Sequence, residues 1–137
     1  MKIVALDYGS ARTGVAVSDP TGTIARPLGV VERAATETGL ARLAELIRAQ
    51  DAERVVVGLP LTLRGEHGSQ AEETQAFVEA LRSAVDVPVE SFDERFTTRL
   101  ARTRPDDSHR NASEPDDARA AAHLLSSYLE WSSAGRE

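Results

Sequence analysis

Residues 1–19, MKIVALDYGSARTGVAVSD, contain the pattern that decides the fold of this chain. Residues 3–6 form an apolar run typical of one short buried strand, and the run ends on the carboxylate of Asp7. A glycine-containing connection, residues 9–14, leads to a second apolar run at residues 15–17. Two short apolar runs joined by such a turn predict a β-hairpin. The hairpin would hold Asp7 at the end of a rigid inner strand, with its side chain facing a cleft.

An aspartate at a strand end, two residues before Gly9, is compatible with three roles. Asp and Gly both favour turns, so the pair can be simple turn chemistry. The same Asp-x-Gly pattern opens the nucleotide-binding domains of actin and the sugar kinases, where it handles phosphate. A carboxylate in this place also binds metal in ribonuclease H-like nucleases. The hairpin alone does not choose among the three roles, so the choice depends on the rest of the chain.

Length and composition narrow the class of protein. The chain has 137 residues, enough for one domain with a proper core but not for the two lobes that hold nucleotide in actin-like ATPases. Its hydrophobic content of 41% is that of a soluble globular protein. No apolar run approaches the roughly 18 residues of a membrane span, and Met1 leads straight into a strand rather than a signal peptide. The absence of cysteine excludes thiolate metal sites, disulfides and cysteine catalysis. We therefore expect one domain over residues 1–137, no membrane contact and a cytoplasmic location.

The distribution of charge is more informative than its sum. A net charge of −6 argues against a protein that coats nucleic acid by bulk attraction. All the basic residues except Lys2 are arginines, whose side chains suit bidentate phosphate contacts. Arg95, Arg99 and Arg102 have the spacing of one stripe on a helix. This stripe is either a phosphate-binding surface or a solvated helix face.

The remaining pattern alternates helices and strands. Residues 23–32 predict a third strand, placed at an edge of the sheet because Pro27 cannot donate to a ladder. Apolar periodicity and turn residues then predict, in order, a helix at 36–50, a strand at 54–60, a polar loop at 62–68, a helix from about Ser69, a strand at 87–92, a short helix capped by Thr97 or Thr98, a loop at 104–111, and a helix from near Ser113 to about Trp131. This order predicts an α/β fold with a five-stranded mixed sheet, three antiparallel strands followed by two parallel ones, flanked by helices.

The last predicted helix carries a carboxylate on its apolar side. Asp117 shares its face with Leu124 and Tyr128, whereas Asp116 shares a different face with His123. A carboxylate on the buried edge of a helix is unfavourable unless something compensates its charge. Both aspartates lie in the first turn, so capping and the helix dipole could compensate the charge in part. A divalent cation could do so more completely.

Three carboxylates lie at the ends of separate predicted elements. Asp7 closes the first strand, Glu94 follows the fifth strand, and Asp117 opens the last helix. Carboxylates that converge from separate elements make a hard oxygen site suited to Mg²⁺ or Mn²⁺. Such sites carry two-metal phosphodiester hydrolysis, which needs no Ser, Cys or His nucleophile.

At this point the chain resembles the RuvX/YqgF family, which comprises Holliday junction resolvase-like proteins and pre-ribosomal-RNA nucleases of ribonuclease H-like fold. The matching motifs span nearly the whole chain in the family's order, and together they are highly specific. They are Asp7-Tyr8-Gly9 with Arg12, Gly14-Val15-Ala16-Val17-Ser18-Asp19, Ala25-Arg26-Pro27-Leu28, Val57-Gly58-Leu59-Pro60-Leu61, Gly65, Asp93-Glu94-Arg95-Phe96-Thr97-Thr98, and Asp117 with Ala120, Ala121 and Tyr128.

The resemblance implies a metal-dependent endonuclease with two Mg²⁺ or Mn²⁺ ions, in which Asp7, Glu94 and Asp117 match the family's acidic residues. Resolvases of the related RuvC type carry a glutamate at the end of the fourth strand, where this chain has Gly58. The carboxylate must then come from Asp93 or Glu94, and the longer reach of Glu94 favours it.

Other side chains are candidates for the same surface. The arginines expected to contact substrate phosphates, without reading sequence, are Arg12, Arg95, Arg99, Arg102 and Arg110. Tyr8 is a candidate for substrate contact, with a turn or surface role as the alternative. The three histidines are expected to be surface residues rather than ligands; they are His67, His109 and His123. Two departures from the family pattern, Ala11 and Glu114-Pro115, remove positive charge near the predicted site. Whether Asp93 or Asp116 joins the site stays open.

The implied substrate is either a four-way DNA junction or the 5′ end of the pre-16S ribosomal RNA, and both would use one site and one mechanism. Symmetric cleavage of a junction needs two sites, so a homodimer would favour the DNA substrate. The alternative is a non-catalytic module that binds nucleic acid or a transcription complex. Retention of all three carboxylates argues against that alternative, because such a module would tolerate their loss.

Overall fold

The β-hairpin predicted for the start of the chain is present. The computed structural model describes residues 1–60, 68–94 and 116–135. In chain order the elements are β1 (Ile3–Asp7), β2 (Arg12–Ser18), β3 (Ala25–Glu32), α1 (Glu37–Ala49), β4 (Arg54–Leu59), α2 (Ser69–Ala84), β5 (Val89–Asp93) and α3 (Asp116–Gly135). The predictions that lie outside the described residues are most of the loop at 62–68, the helix that follows Thr97 or Thr98, the loop at 104–111 and the helix start near Ser113.

The five strands form one mixed sheet in the order β3-β2-β1-β4-β5. β2 pairs antiparallel with both β1 and β3, whereas β4 pairs parallel with both β1 and β5. The predicted arrangement of three antiparallel strands followed by two parallel strands is therefore confirmed. β3, which contains Pro27, lies at an edge as expected. β1 is the central strand, so the end of β1 has a neighbouring strand on each side.

Side chains alternate along β1 and divide the core into two layers. Val4 and Leu6 belong to the layer that the sheet forms with α1 and α2. Ile3 and Ala5 belong to the opposite layer, which packs against α3. Because the period of a strand is two residues, Asp7 follows Ile3 and Ala5 onto the α3 face of the sheet.

A buried tyrosine holds the C-terminal half of α3 to the sheet. The hydroxyl of Tyr128 donates to Glu90 Oε2 of β5 at 3.0 Å and accepts from Arg54 Nη1 of β4 at 2.8 Å. Arg54 Nε lies 3.3 Å from the same Glu90 oxygen. The ring of Phe92 meets that of Tyr128 edge-on, with the ring centroids 5.4 Å apart. The Tyr128 side chain is fully buried, so a shift of α3 along the sheet would break the hydrogen bonds of its hydroxyl and leave a buried polar group without a partner. These hydrogen bonds therefore favour one position of α3 on the sheet.

The helix boundaries agree closely with those predicted. Thr36 is the N-cap of α1, because its hydroxyl oxygen accepts from the backbone N–H of Gly39 at 3.1 Å, and the helix begins one residue later. The last helix extends four residues beyond Trp131, to Gly135. Within the described residues, none of the helices combines the length and apolarity that a membrane span requires.

β2 begins earlier than the sequence pattern indicated. The prediction that residues 9–14 all belong to the connection is wrong, because the strand begins at Arg12 and Gly14 pairs with Asp7 in the ladder. The reason for a glycine inside this strand is packing. A Cβ atom at Gly14 would lie 1.8 Å from the carbonyl oxygen of Asp117, so the backbone of α3 occupies the place of the missing side chain.

Gly14→Ala should therefore lower the free energy of unfolding by about 1–3 kcal/mol or more, because the added methyl group overlaps backbone that cannot rotate away. Urea denaturation at pH 7.5 measures the change. Gly29→Ala in β3 is the matched control, since no atom lies within 4 Å of its Cβ position. It should alter stability by less than about 0.5 kcal/mol. Equal stability of the two variants would contradict the close approach of α3 to β2.

Candidate functional site

Asp7 has a glycine beside it on each neighbouring strand. In the antiparallel ladder it pairs with Gly14 of β2. In the parallel ladder Leu6 pairs with Val57, so the residues that follow them, Asp7 and Gly58, are neighbours as well. The side chain of Asp7 therefore projects on the α3 face between two positions that lack side chains. Each of these positions is filled by a different group.

The space over Gly14 is taken by the first turn of α3. The carbonyl oxygen and carbon of Asp117 would lie 1.8 and 2.3 Å from a Cβ atom at Gly14. This contact sets the side chain of Asp117 near Asp7, close enough for the two charges to interact. Arg12, at the start of β2, lies on the same face, with its Nε 3.3 Å from Asp117 Oδ2. The guanidinium remains available to a ligand, since 64% of the Arg12 side chain is exposed.

The space over Gly58 is taken by Glu94. Its Oε2 and Cγ atoms would lie 2.7 and 3.1 Å from a Cβ atom at Gly58, and Leu124 Cδ2 of α3 would lie 3.1 Å away. Phe92 of β5 packs in the α3 layer, so alternation turns Asp93, the last residue of the strand, to the opposite face. The structure thus sets Glu94 rather than Asp93 on the face that carries Asp7.

The electrostatics of this face are unfavourable for the protein alone. Burial and, to a lesser extent, the negative charge of Asp117 together raise the pKa of Asp7 from its ordinary value of 3.8 to about 6. At neutral pH the ionised Asp7 therefore lies in a poorly hydrated place beside a like charge. A bound cation would relieve both effects.

The chemistry of these side chains suits a hard divalent cation, although the carboxylates are not assembled around one point. Within residues 1–60, 68–94 and 116–135, no three His, Asp or Glu side chains lie close enough together to hold a metal ion. The coupled carboxylates of Asp7 and Asp117 are oxygen donors of the kind that Mg²⁺ and Mn²⁺ prefer. A third carboxylate, that of Glu94, lies on the same face, in the space that a Cβ atom at Gly58 would occupy. The assignment of these three residues as metal ligands stays a prediction.

Comparison with known proteins identifies the family. Residues 1–131 match the RuvX family, which is described as Holliday junction resolvase. The chain belongs to the RuvX family. The resemblance that the motifs predicted is therefore confirmed.

Relatives match the chain over its full length. A protein of Syntrophomonas wolfei named "Putative pre-16S rRNA nuclease" is 37% identical over 140 residues, which cover 100% of this chain and 99% of the relative. Relatives of the same name from Desulforudis audaxviator and Moorella thermoacetica are 40% and 41% identical. The first covers 99% of this chain and 99% of its own length, and the second covers 95% of each.

Solved structures share the fold. Thermus thermophilus RuvC has a TM-score of 0.67 at 17% sequence identity and covers 98% of this chain and 97% of its own. T. thermophilus RuvC in complex with a Holliday junction substrate has a TM-score of 0.65 at 19% identity and covers 98% of this chain and 96% of its own. At such identities the similarity concerns the fold alone, and it confirms the predicted ribonuclease H-like fold.

The tyrosine of the RuvX motif faces away from the three carboxylates. The ring of Tyr8 stacks on Phe77 of α2, with ring centroids 4.5 Å apart, and its hydroxyl donates to Glu73 Oε2 at 2.8 Å. The hydroxyl of Ser10 donates to the same oxygen at 2.7 Å. Burial and the neighbouring Glu73 raise the pKa of Tyr8 to about 12. Tyr8 and Ser10 thus fasten the connection between β1 and β2 to α2.

Asp19, another residue of the RuvX motif, organises a turn. Its carboxylate accepts hydrogen bonds from the backbone N–H groups of Thr23 at 2.7 Å and Ile24 at 2.9 Å, and from the hydroxyl of Thr21. These bonds hold the pKa of Asp19 well below its usual range. Asp19 therefore closes the loop between β2 and β3, and its carboxylate is taken up by that loop.

The remaining candidates are less completely described. Four of the predicted phosphate-binding arginines lie outside the described residues, as do two histidines; they are Arg95, Arg99, Arg102, Arg110, His67 and His109. The side chain of Asp116 is likewise outside the described residues, and His123 is half-buried on α3.

Sequence reasoning missed the packing roles of Gly14 and Gly58, although a glycine inside a strand of β-branched residues is a recognised signal of close approach.

Asp7→Asn should make the metal-free protein more stable above pH 6. The folded-state pKa of Asp7 is raised, so its favourable contribution is present below pH 3.8 and is lost as the pH rises to about 6. An uncharged asparagine escapes this loss, so the variant should gain about 2–3 kcal/mol at pH 7.5 and nothing at pH 3.5. Urea denaturation in EDTA at the two pH values measures the difference.

Asp19→Asn is the control, because its expected change in stability at pH 7.5 is opposite to that of Asp7→Asn. The pKa of Asp19 is lowered in the folded state, so its stabilising contribution is present at pH 7.5 and is lost as the pH falls below its ordinary value of 3.8. This variant should be less stable than the wild type at pH 7.5. No gain for Asp7→Asn at that pH would contradict a carboxylate that is half-buried and repelled by Asp117.

Proposed function

We propose that this chain is a divalent-metal-dependent endonuclease that hydrolyses phosphodiester bonds of structured nucleic acid. The observation that carries the proposal is the half-buried Asp7, set between two glycines, with Asp117 and Glu94 brought to the same face. Membership of the RuvX family and the names of the full-length relatives support the same class of hydrolase. A cytoplasmic location is part of the proposal.

Asp7, Glu94 and Asp117 would hold the metal. When bound, a pair of Mg²⁺ or Mn²⁺ ions supplies the positive charge that activates a water and stabilises the leaving oxygen. The chain's own contribution is to fix the ligands. Asp7 lies at the end of the central strand, and the position of Asp117 is fixed by the packing of the α3 backbone against Gly14. Neither ligand depends on a loop for its position.

Positive charge for the substrate comes from arginine. Arg12 lies beside Asp117 with its side chain largely exposed, so it can contact a phosphate that approaches the carboxylates. Arg95, Arg99, Arg102 and Arg110 would extend this surface along the backbone of the nucleic acid. Such contacts position the substrate and carry no sequence information.

Two substrates share this site, and each has an observation in its favour. The family description names the Holliday junction, and one structure with the same fold contains that DNA. The relatives that match over the full length are named for pre-16S rRNA. Cutting a junction symmetrically requires two sites, so a homodimer belongs to the DNA proposal only. A non-catalytic binding module is the alternative to both.

A paired cleavage assay tests the proposal. It uses a labelled four-way DNA junction and a 5′-extended 16S rRNA precursor with Mg²⁺ or Mn²⁺, and Asp7→Asn as the control. Symmetric nicks in the junction alone identify a resolvase, and defined 5′ trimming of the RNA alone identifies an rRNA-processing nuclease. Activity no greater than that of Asp7→Asn on both substrates overturns the nuclease proposal and favours the binding module.

The two adjacent aspartates of α3 should differ in their importance. Asp117→Asn should abolish hydrolysis, because this carboxylate lies next to Asp7, whereas Asp116→Asn should retain most of it. Single-turnover cleavage rates at saturating Mn²⁺ measure both variants, and each is the matched control of the other. Equal loss in the two would contradict the assignment of Asp117 to the site.

Charge reversal at Arg99 and Arg102 should weaken nucleic-acid binding with little change in Mn²⁺ affinity. Loss of two phosphate contacts should reduce the slope of log K against log salt by about 2. Fluorescence anisotropy in Ca²⁺ at several salt concentrations measures the slope. Arg42→Glu with Arg48→Glu is the matched control, because both arginines are exposed on α1, across the sheet from α3. Identical slopes for the two double variants would mean that the stripe is only a solvated face.

A further inference from the structure

Gly58 occupies a place in β4 where nothing in the backbone calls for glycine. It lies in a regular parallel ladder, paired with Phe92 of β5. Among the described glycines, Gly22 is the one with a positive φ, so Gly58 is not needed for a left-handed conformation. Glycine weakens a strand interior because it has no side chain to pack. Its presence at the buried end of β4 therefore has a steric reason.

The steric reason is the carboxylate of Glu94. A Cβ atom at Gly58 would lie 2.7 Å from Glu94 Oε2, closer than Cβ atoms pack in proteins, and 3.1 Å from Glu94 Cγ, which is a tight contact. The carboxylate thus fills the volume that a side chain at position 58 would need. Because Gly58 is the neighbour of Asp7 on β4, this volume lies next to Asp7 on the α3 face.

We propose that Gly58 is a positioning residue, whose missing side chain gives the carboxylate of Glu94 its place on the α3 face, over the strand that neighbours Asp7. The inference rests on the proposed nuclease function, in which Glu94 is a metal ligand. It goes beyond that function because the affinity for the metal would then depend on a residue that has no side chain to bind it.

The consequence of adding a side chain differs between the two glycines that flank Asp7. At Gly14 a Cβ atom meets helix backbone, which cannot move without shifting α3. At Gly58 it meets the far end of a flexible glutamate, which can rotate aside, and one methyl group of Leu124. Gly58→Ala should therefore preserve the fold and displace the Glu94 carboxylate.

A double-mutant cycle on Mn²⁺ affinity tests the inference. The proteins are the wild type, Gly58→Ala, Glu94→Gln and the double variant, each titrated with Mn²⁺ by calorimetry. Gly29→Ala is the matched control for a glycine-to-alanine change in a strand. Circular dichroism and thermal unfolding in EDTA establish that each variant is folded. Should Gly58→Ala fail to fold, the same cycle in a Leu124→Val background removes the second close contact.

The expected result is a loss of about 10–100-fold in Mn²⁺ affinity for Gly58→Ala, as for other residues that orient metal ligands. The double variant should bind no more weakly than Glu94→Gln alone, because Gly58→Ala acts through Glu94. Gly29→Ala should bind as the wild type does.

Wild-type affinity in Gly58→Ala, or losses that add in the double variant, would overturn the role of Gly58. A clear loss in Glu94→Gln would in that case leave the nuclease proposal standing. Unchanged affinity in both single variants would instead remove Glu94 from the site, and the role of Gly58 would fall with it. Failure of the inference and failure of the proposed metal site are thus separate outcomes.

Discussion

The close packing of the α3 backbone against Gly14 is the contact on which the rest of the candidate site depends. A helix backbone can approach a sheet this closely only where the strand has no side chain, and a carbonyl oxygen of the first turn fills the vacancy. Because Gly14 pairs with Asp7, the same contact sets Asp117 beside the end of the central strand. The hydrogen bonds of Tyr128 to Arg54 and Glu90 fix the helix at a second point along its length. Two anchors on one helix leave Asp117 little freedom to move.

This arrangement places charge where the protein alone does not favour it. The raised pKa of Asp7 reflects a carboxylate that has lost water and faces a like charge. Arg12 offsets part of the charge of Asp117, although screening weakens an ion pair this exposed. A phosphate backbone would also be repelled by the negative charges of Asp7 and Asp117. Cations, whether metal ions or arginine side chains, would relieve both effects, and functional sites commonly hold such destabilising groups.

The two glycines beside Asp7 have the same chemistry but different structural consequences. Gly14 admits a rigid backbone, so it governs where the helix lies and how stable the fold is. Gly58 admits a movable side chain, so its influence falls on the position of one carboxylate. A glycine inside a strand is thus informative here because of the group that packs against it. The nature of that group decides whether a substitution changes the stability of the fold or the function of the site.

The sequence by itself determined the hairpin, the mixed sheet, the edge position of β3 and the family, because each follows from local periodicity or from motifs in a fixed order. It also singled out Asp7, Glu94 and Asp117 from their places at the ends of elements. Only the tertiary structure decided that Gly14 is a strand residue beneath α3, that Tyr8 turns toward α2, and that Glu94 lies over Gly58. These facts depend on contacts between residues some 36 to 103 positions apart. No local pattern encodes what fills the space of an absent side chain, since the filling group comes from another element.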